Sequence, residues 1–141
     1  MRFKVVLVSL ILLAFFIGAV SAADITNYNS PIGFERDPMT FVNGDFEMEM
    51  DSYSAFIDYD DHFKSEDDRQ VEIINDTYAK YFDSDDKKAG ALEIIKVDGD
   101  QYIVDSSFSG DDKSKSEDCL KYLEEFNQLN KFKPIKIDKA S

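Results

Sequence analysis

Catalysis by a protein side chain needs a nucleophile beside a base, or a set of groups that can hold a metal, and this chain has few of either. His62 and Cys119 are its only imidazole and its only thiol. A working dyad would require the fold to bring them together. His62 lies in an acidic run at 60–68 and Cys119 in the first turns of a helical pattern, so the expectation is a solvated histidine and a buried helix cysteine. One His and one Cys cannot supply the three or four ligands of a zinc site. No catalytic residue, cofactor-binding residue or cofactor is assigned.

Carboxylates are abundant, with 29 Asp and Glu, and hard oxygen donors suit calcium. Asp58, Asp60, Asp61, Asp67 and Asp68 crowd one stretch and are the weak calcium candidates; Asp83, Asp85 and Asp86 crowd another. Neither follows the twelve-residue calcium-loop pattern: counted from Asp83, Lys88 stands where glycine is required and Ile94 where the bidentate Glu belongs. A solvated acidic face is the expected role, with no metal assigned. A glycosidase would need two acids about 5 to 9 Å apart in a cleft. The sequence does not single out such a pair, and it has no Trp to stack on a sugar. None of the six glycines forms a dinucleotide- or phosphate-cradling motif. Asn75-Asp76-Thr77 is the only glycosylation sequon, which makes Asn75 the candidate modification site.

These groups sit in a chain that reads as exported. Arg2 and Lys4 precede an apolar run at 5–20, and Val20-Ser21-Ala22 places small residues where a signal peptidase cuts. At ~1.5 Å per residue that run spans about 24 Å, short of the ~30 Å hydrocarbon core of a membrane. Residues 1–22 are therefore expected to be a signal peptide, with cleavage near Ala22 or Ala23 and no stable membrane insertion afterwards. Cleavage removes 22 of 141 residues and leaves 119, enough for one domain. It takes the 16 basic residues to 14 and the net charge from −13 to −15. Such a surface repels nucleic acid and anionic lipid and attracts cations. With 43% hydrophobic residues, 12 Phe and 7 Tyr, the chain still has material for a packed core. A lone cysteine excludes an internal disulfide, so packing must hold the domain together.

The elements expected to position these residues centre on 91–108, where two Ile-, Val- and Tyr-rich runs flank Asp98-Gly99. That dipeptide suits a type I′ turn, which pairs Ile95 with Tyr102 and Ile94 with Ile103 and leaves both faces apolar. A second hairpin is expected at 39–50 around Asn43-Gly44, with Phe41 opposite Phe46 and Met39 opposite Met48. The segment 54–60 reads as a strand and 60–68 as a solvated loop. Residues 69–84 fit either a helix or two strands about Asn75-Asp76; Val, Ile, Thr, Tyr and Phe favour strands. Residues 23–38 read as an irregular lead-in and 39–141 as the domain. A helix at 117–130 carries the stripe Cys119, Leu123, Phe126, with Ser114 and Glu117 spaced as a capping box. Pro134 confines 132–137 to a short edge strand. The expected fold is α+β: an antiparallel β-meander sheet with one carboxy-terminal amphipathic helix on one face and a short terminal edge strand.

Three stretches carry a resemblance. Asn75-Asp76-Thr77-Tyr78-Ala79, the block from Gly90 to Ile95 with its Asp98-Gly99 turn, and the tail from Tyr122 to Asn127 and on to Pro134-Ile135 resemble small exported proteins of methanogenic archaea. The resemblance covers roughly 39–137. It implies an extracytoplasmic α+β domain and carries over no catalytic or binding residue. The function expected is a secreted or cell-surface, non-catalytic binding domain with a protein or envelope partner. A small extracytoplasmic hydrolase using Asp or Glu, or a structural envelope component, is the alternative.

Overall fold

A computed structural model of the chain describes residues 24–138; the expected signal peptide lies outside them. Among the described residues seven antiparallel strands form one open sheet. They are β1 (Glu35–Arg36), β2 (Phe41–Asn43), β3 (Phe46–Ser52), β4 (Arg69–Ile74), β5 (Tyr78–Asp83), β6 (Lys88–Val97) and β7 (Asp100–Ser109). The spatial order β1-β2-β3-β7-β6-β5-β4 joins two meanders along a β3–β7 seam. Two helices, α1 (Ala55–Phe63) and α2 (Lys115–Asn130), complete an α+β fold with the carboxy-terminal helix on one face.

Asp98 and Gly99 both take positive φ, 52° and 89°, as a type I′ turn requires. The pairs Ile95–Tyr102 and Ile94–Ile103 follow from it. These two strands are the interior of the sheet, apolar on both sides. Ala91, Ile95, Tyr102 and Val104 join the core under α2, while Leu92, Ile94 and Ile103 join a second core on the opposite face. Residues 69–84 form β4 and β5, with Asn75 and Asp76 left-handed between them (φ 53° and 62°).

The first hairpin differs from expectation in register. Its loop is Gly44-Asp45, so Asn43 pairs with Phe46 and Phe41 with Met48. Of the two loop residues only Gly44 has positive φ (62°), the arrangement of a type II′ turn. A shift of two residues keeps every side chain on its expected face, and Phe41, Met48 and Met50 are buried together. Met39 falls outside the strand and is exposed.

Residues 54–60 are not a strand but the start of α1. Ala55, Tyr59 and Phe63 recur four apart and pack on the second core, while Phe56 and Ile57 are 83% and 73% exposed. The Asp58 carboxylate accepts the Ser54 N–H (2.9 Å) and closes the amino end of the helix. The acidic run at 60–68 is therefore helical through Phe63 rather than a loop throughout.

α2 opens at Lys115, and the Ser114–Glu117 capping box does not form. Ser114 is already helical (φ −66°, ψ −18°), so its side chain makes no cap bond. Asp112 takes that place, accepting the Ser114 N–H (3.1 Å) and hydroxyl (2.6 Å). Cys119, Leu123 and Phe126 are fully buried; burying a large apolar side chain is worth about 1.5–3 kcal/mol. Ile25 and Phe34, from the stretch expected as a lead-in, belong to the same core.

The expected edge strand at 132–137 is also absent. Lys131 is left-handed (φ 59°); beyond it Phe132 N–H closes the helix end on Asn127 O (3.0 Å), and the tail then donates Ile135 N–H to Ile94 O (2.8 Å) and Ile137 N–H to Asp76 O (2.7 Å) without forming a ladder. Pro134 has no N–H to extend a ladder. Ile135 and Ile137 instead pack on the second core. At the opposite limit of the fold, the outward groups of edge strand β4 are partly occupied. The Ser65 hydroxyl accepts from Val71 N–H (2.9 Å) and donates to Val71 O (3.2 Å), and Glu66 exchanges backbone bonds with Arg69 (2.7 and 3.1 Å). Occupied edge groups cannot template another strand.

Candidate functional site

The sheet separates the two residues from which a nucleophilic dyad would have to be made. Cys119 lies under α2, its Sγ 3.9 Å from Ala89 O. Burial pushes the thiol up to about 12, and a thiol held protonated is a poor nucleophile. His62 is on α1 over the opposite face, with Nδ1 2.9 Å from Asp58 O. Iodoacetamide at about pH 8 is expected to leave Cys119 unmodified in the native protein and to label it fully in denaturant. Fast native labelling, read by intact mass, would contradict this burial.

The calcium candidates are divided between two elements. Asp58 holds the α1 cap, and Asp60 and Asp61 are exposed on the same helix. Asp67 and Asp68 sit in the turn before β4, where with Glu66, Asp83 and Asp85 they surround Arg69 in an open depression. Among the described residues no group of three or more His, Cys, Asp or Glu side chains is arranged to hold an ion. Asn75 is exposed at the tip of the β4–β5 hairpin.

An acid pair that sequence reasoning left unassigned lies on the second face. Strand alternation places Glu47, Glu49 and Asp51 of β3 there together with Asp105 of β7, and Glu49 faces Asp105 directly across the seam. Tyr81 reaches across from β5. Its ring lies over Gly90, where a Cβ would come within 2.4 Å of Tyr81 Cζ, and its hydroxyl donates to Asp105 Oδ1 (2.8 Å). The Arg69 guanidinium sits 4.1 Å above that ring and donates to His62 O (3.4 Å).

Burial, followed by the charge of Asp105, holds the Glu49 carboxyl above its ordinary range, with Lys88 opposing. Burial likewise raises Asp105, against the Tyr81 hydrogen bond and the charges of Lys88, Arg69 and His62. Burial and Asp105 together hold the Tyr81 phenol well above its usual value, so it remains a donor. The pair was hidden because the β3–β7 seam joins residues 50 or more positions apart in the chain. The local signal was slight: one acid closing the apolar run Tyr102 to Val104.

A second unassigned acid lies on the α2 face. Glu93, between Ala91 and Ile95 on that side of β6, is 0% exposed. Asn127 Nδ2 donates to Glu93 Oε1 and to Tyr78 Oη (3.3 Å); Glu93 Oε2 and Asn127 Oδ1 are buried without partners among the described residues. Burial pushes the Glu93 carboxyl up to about 8, the Asn127 hydrogen bond opposing. The acid therefore carries a proton near neutral pH. Two signals pointed here: a lone Glu inside an apolar strand, and Asn127 four residues after Leu123 on an otherwise apolar stripe. Glu93 is sealed between helix and sheet, whereas Glu49 and Asp105 lie on the face that α2 leaves uncovered.

No family model matches the chain, and no curated protein matches it. Among the described residues no helix is long and apolar enough to cross a membrane.

Proposed function

We propose that this chain is a secreted or cell-surface domain that acts by binding rather than catalysis, and that its recognition surface is the acidic part of the second face. The observation that carries the reading is the Glu49–Asp105 pair, two carboxyls opposed across a strand seam, Glu49 raised by burial and by the charge of Asp105, and Asp105 raised by burial. A cationic group placed against them relieves the repulsion, so the partner is a lysine- or arginine-rich segment of an envelope protein. The net charge, −13 for the full chain and −15 without residues 1–22, steers such a partner inward. Phe56 and Ile57, exposed on α1, offer apolar contact on the same side of the sheet. The export half of the proposal rests on the amino-terminal run at 1–22.

Titrating a lysine-rich peptide into isotope-labelled protein is the test. Amide shifts should concentrate at 47–51 and 103–107, and the double variant Glu49→Gln/Asp105→Asn should weaken binding about tenfold, or about 1.4 kcal/mol. Raising salt to about 0.5 M should weaken it as well. Shifts spread evenly over the surface, or unchanged affinity in the double variant, would sink the assignment. Turnover of a glycan or peptide panel that Glu49→Gln abolishes would replace binding by the Asp/Glu hydrolase reading, which the same opposed pair supports.

A further inference from the structure

The edge of β4 is guarded over only half its length. Arg69 and Val71 turn their backbone groups outward, and Glu66 and Ser65 occupy them. Strand alternation turns the N–H and C=O of Ile73 outward as well. Among the described residues no comparable partner meets them, and the Ile73 side chain is 38% exposed. An apolar stretch of free edge is a template for another strand.

Two residues further on, at about 3.3 Å per residue, stands Asn75. It is exposed, left-handed (φ 53°), and opens the only Asn-X-Thr sequon of the chain. The tip that presents it is held from two sides. Thr77 N–H bonds Ile74 O (3.2 Å), and the carboxy-terminal tail bonds Asp76 O through Ile137 N–H (2.7 Å). A group attached to Asn75 is therefore projected from a fixed turn beside the unguarded half of β4.

We infer that Asn75 carries an N-linked saccharide and that this saccharide shields the free Ile73 half of the β4 edge. The inference rests on the export reading, because the donor is found on the outer side of a membrane. That donor is an oligosaccharide linked to a lipid phosphate. The Asn75 carboxamide nitrogen forms a bond to the anomeric carbon, the bond from that carbon to the phosphate oxygen breaks, and the lipid phosphate leaves. The nitrogen gives one proton to a base of the transferase, and nothing is oxidised or reduced. Side-chain and backbone partners protect one half of the edge, and a bulky hydrated polymer protects the other.

The test is intact mass of full-length chain produced in a host whose oligosaccharyltransferase modifies a control Asn-X-Thr protein. One version keeps its own amino terminus and a second carries a proven export leader ahead of it. The exported protein should be heavier than its polypeptide by at least one saccharide, and Thr77→Ala, which leaves Asn75 in place, should remove the increment. Exported protein at bare polypeptide mass overturns the modification. Export of the second version alone overturns the export reading, and the modification is then read from that version. Sedimentation velocity over a concentration series tests the shielding: the Thr77→Ala protein should self-associate at lower concentration than the glycosylated one, and identical behaviour would refute it.

Discussion

Replacing Glu93 by glutamine makes the domain more stable at neutral and alkaline pH and flattens its stability against pH. Glutamine keeps the shape of the side chain and an oxygen to accept the Asn127 hydrogen bond, and it cannot ionise. In the native protein burial raises the Glu93 carboxyl from an ordinary 4.5 to about 8. On raising the pH the unfolded chain loses this proton first. The contribution of Glu93 is therefore fully present below about pH 4.5, fades as the pH rises toward 8, and is gone above that. At about 1.4 kcal/mol per pH unit the total is about 5 kcal/mol, of which about 3 is lost by pH 7. Urea unfolding of both proteins at about pH 5, 7 and 9 checks this. The wild type should fall steeply and Glu93→Gln only slightly, the residual fall coming from Glu49 and Asp105, which are raised in the same direction. Parallel curves for the two proteins would remove Glu93 as the cause.

Gly90→Ala should cost about 3 kcal/mol although it adds a single methyl group. The new Cβ would stand 2.4 Å from Tyr81 Cζ and 2.5 Å from its hydroxyl oxygen, separations that force the ring to move. Overpacking of this kind costs about 1–3 kcal/mol. Displacing the ring also breaks the hydrogen bond to Asp105, and a hydrogen bond is worth about 0.5–1.5 kcal/mol net. A double-mutant cycle isolates the cause. In a Tyr81→Ala background the methyl group no longer meets the ring, and Gly90→Ala should then cost less than about 0.5 kcal/mol. An equal cost in both backgrounds would place the damage in the backbone of β6 rather than under the ring.

What could be seen in advance followed locality. The central hairpin was legible because Asp98-Gly99 specifies its turn and register through adjacent residues alone. α2 was legible because Cys119, Leu123 and Phe126 repeat at helical spacing over several turns. α1 was misread because Ala55, Ile57 and Tyr59 satisfy alternation while Ala55, Tyr59 and Phe63 satisfy the helical repeat, and nine residues are too few to separate the two periods. Exposed Phe56 and Ile57 deepened that ambiguity. The capping box failed because a spacing of Ser and Glu says nothing of whether Ser114 is itself inside the helix.

The candidate site was almost wholly illegible, for a different reason. Glu49 meets Asp105 only through the seam between two meanders, and seam pairing is decided by which faces need covering, not by any local motif. Glu93 was visible as an acid in an apolar run, but its partner Asn127 arrives from a helix 34 residues away. Export was read from 1–22 and function from what the composition disfavours; neither reading involved the residues that the fold brings together.

Gly90 also works as an alignment mark. It is the only glycine in β6, and Tyr81 lies opposite it. Slide β5 along β6 by one residue in either direction and Tyr81 turns to the α2 face, away from Asp105; slide it by two, which keeps the face, and the ring comes down on Lys88 or Leu92. Either two-residue slip puts a Cβ where the phenol must lie. A missing side chain thus sets the indexing of the sheet, and the whole β4–β5 hairpin, with the turn at its tip, is located by one absent carbon atom.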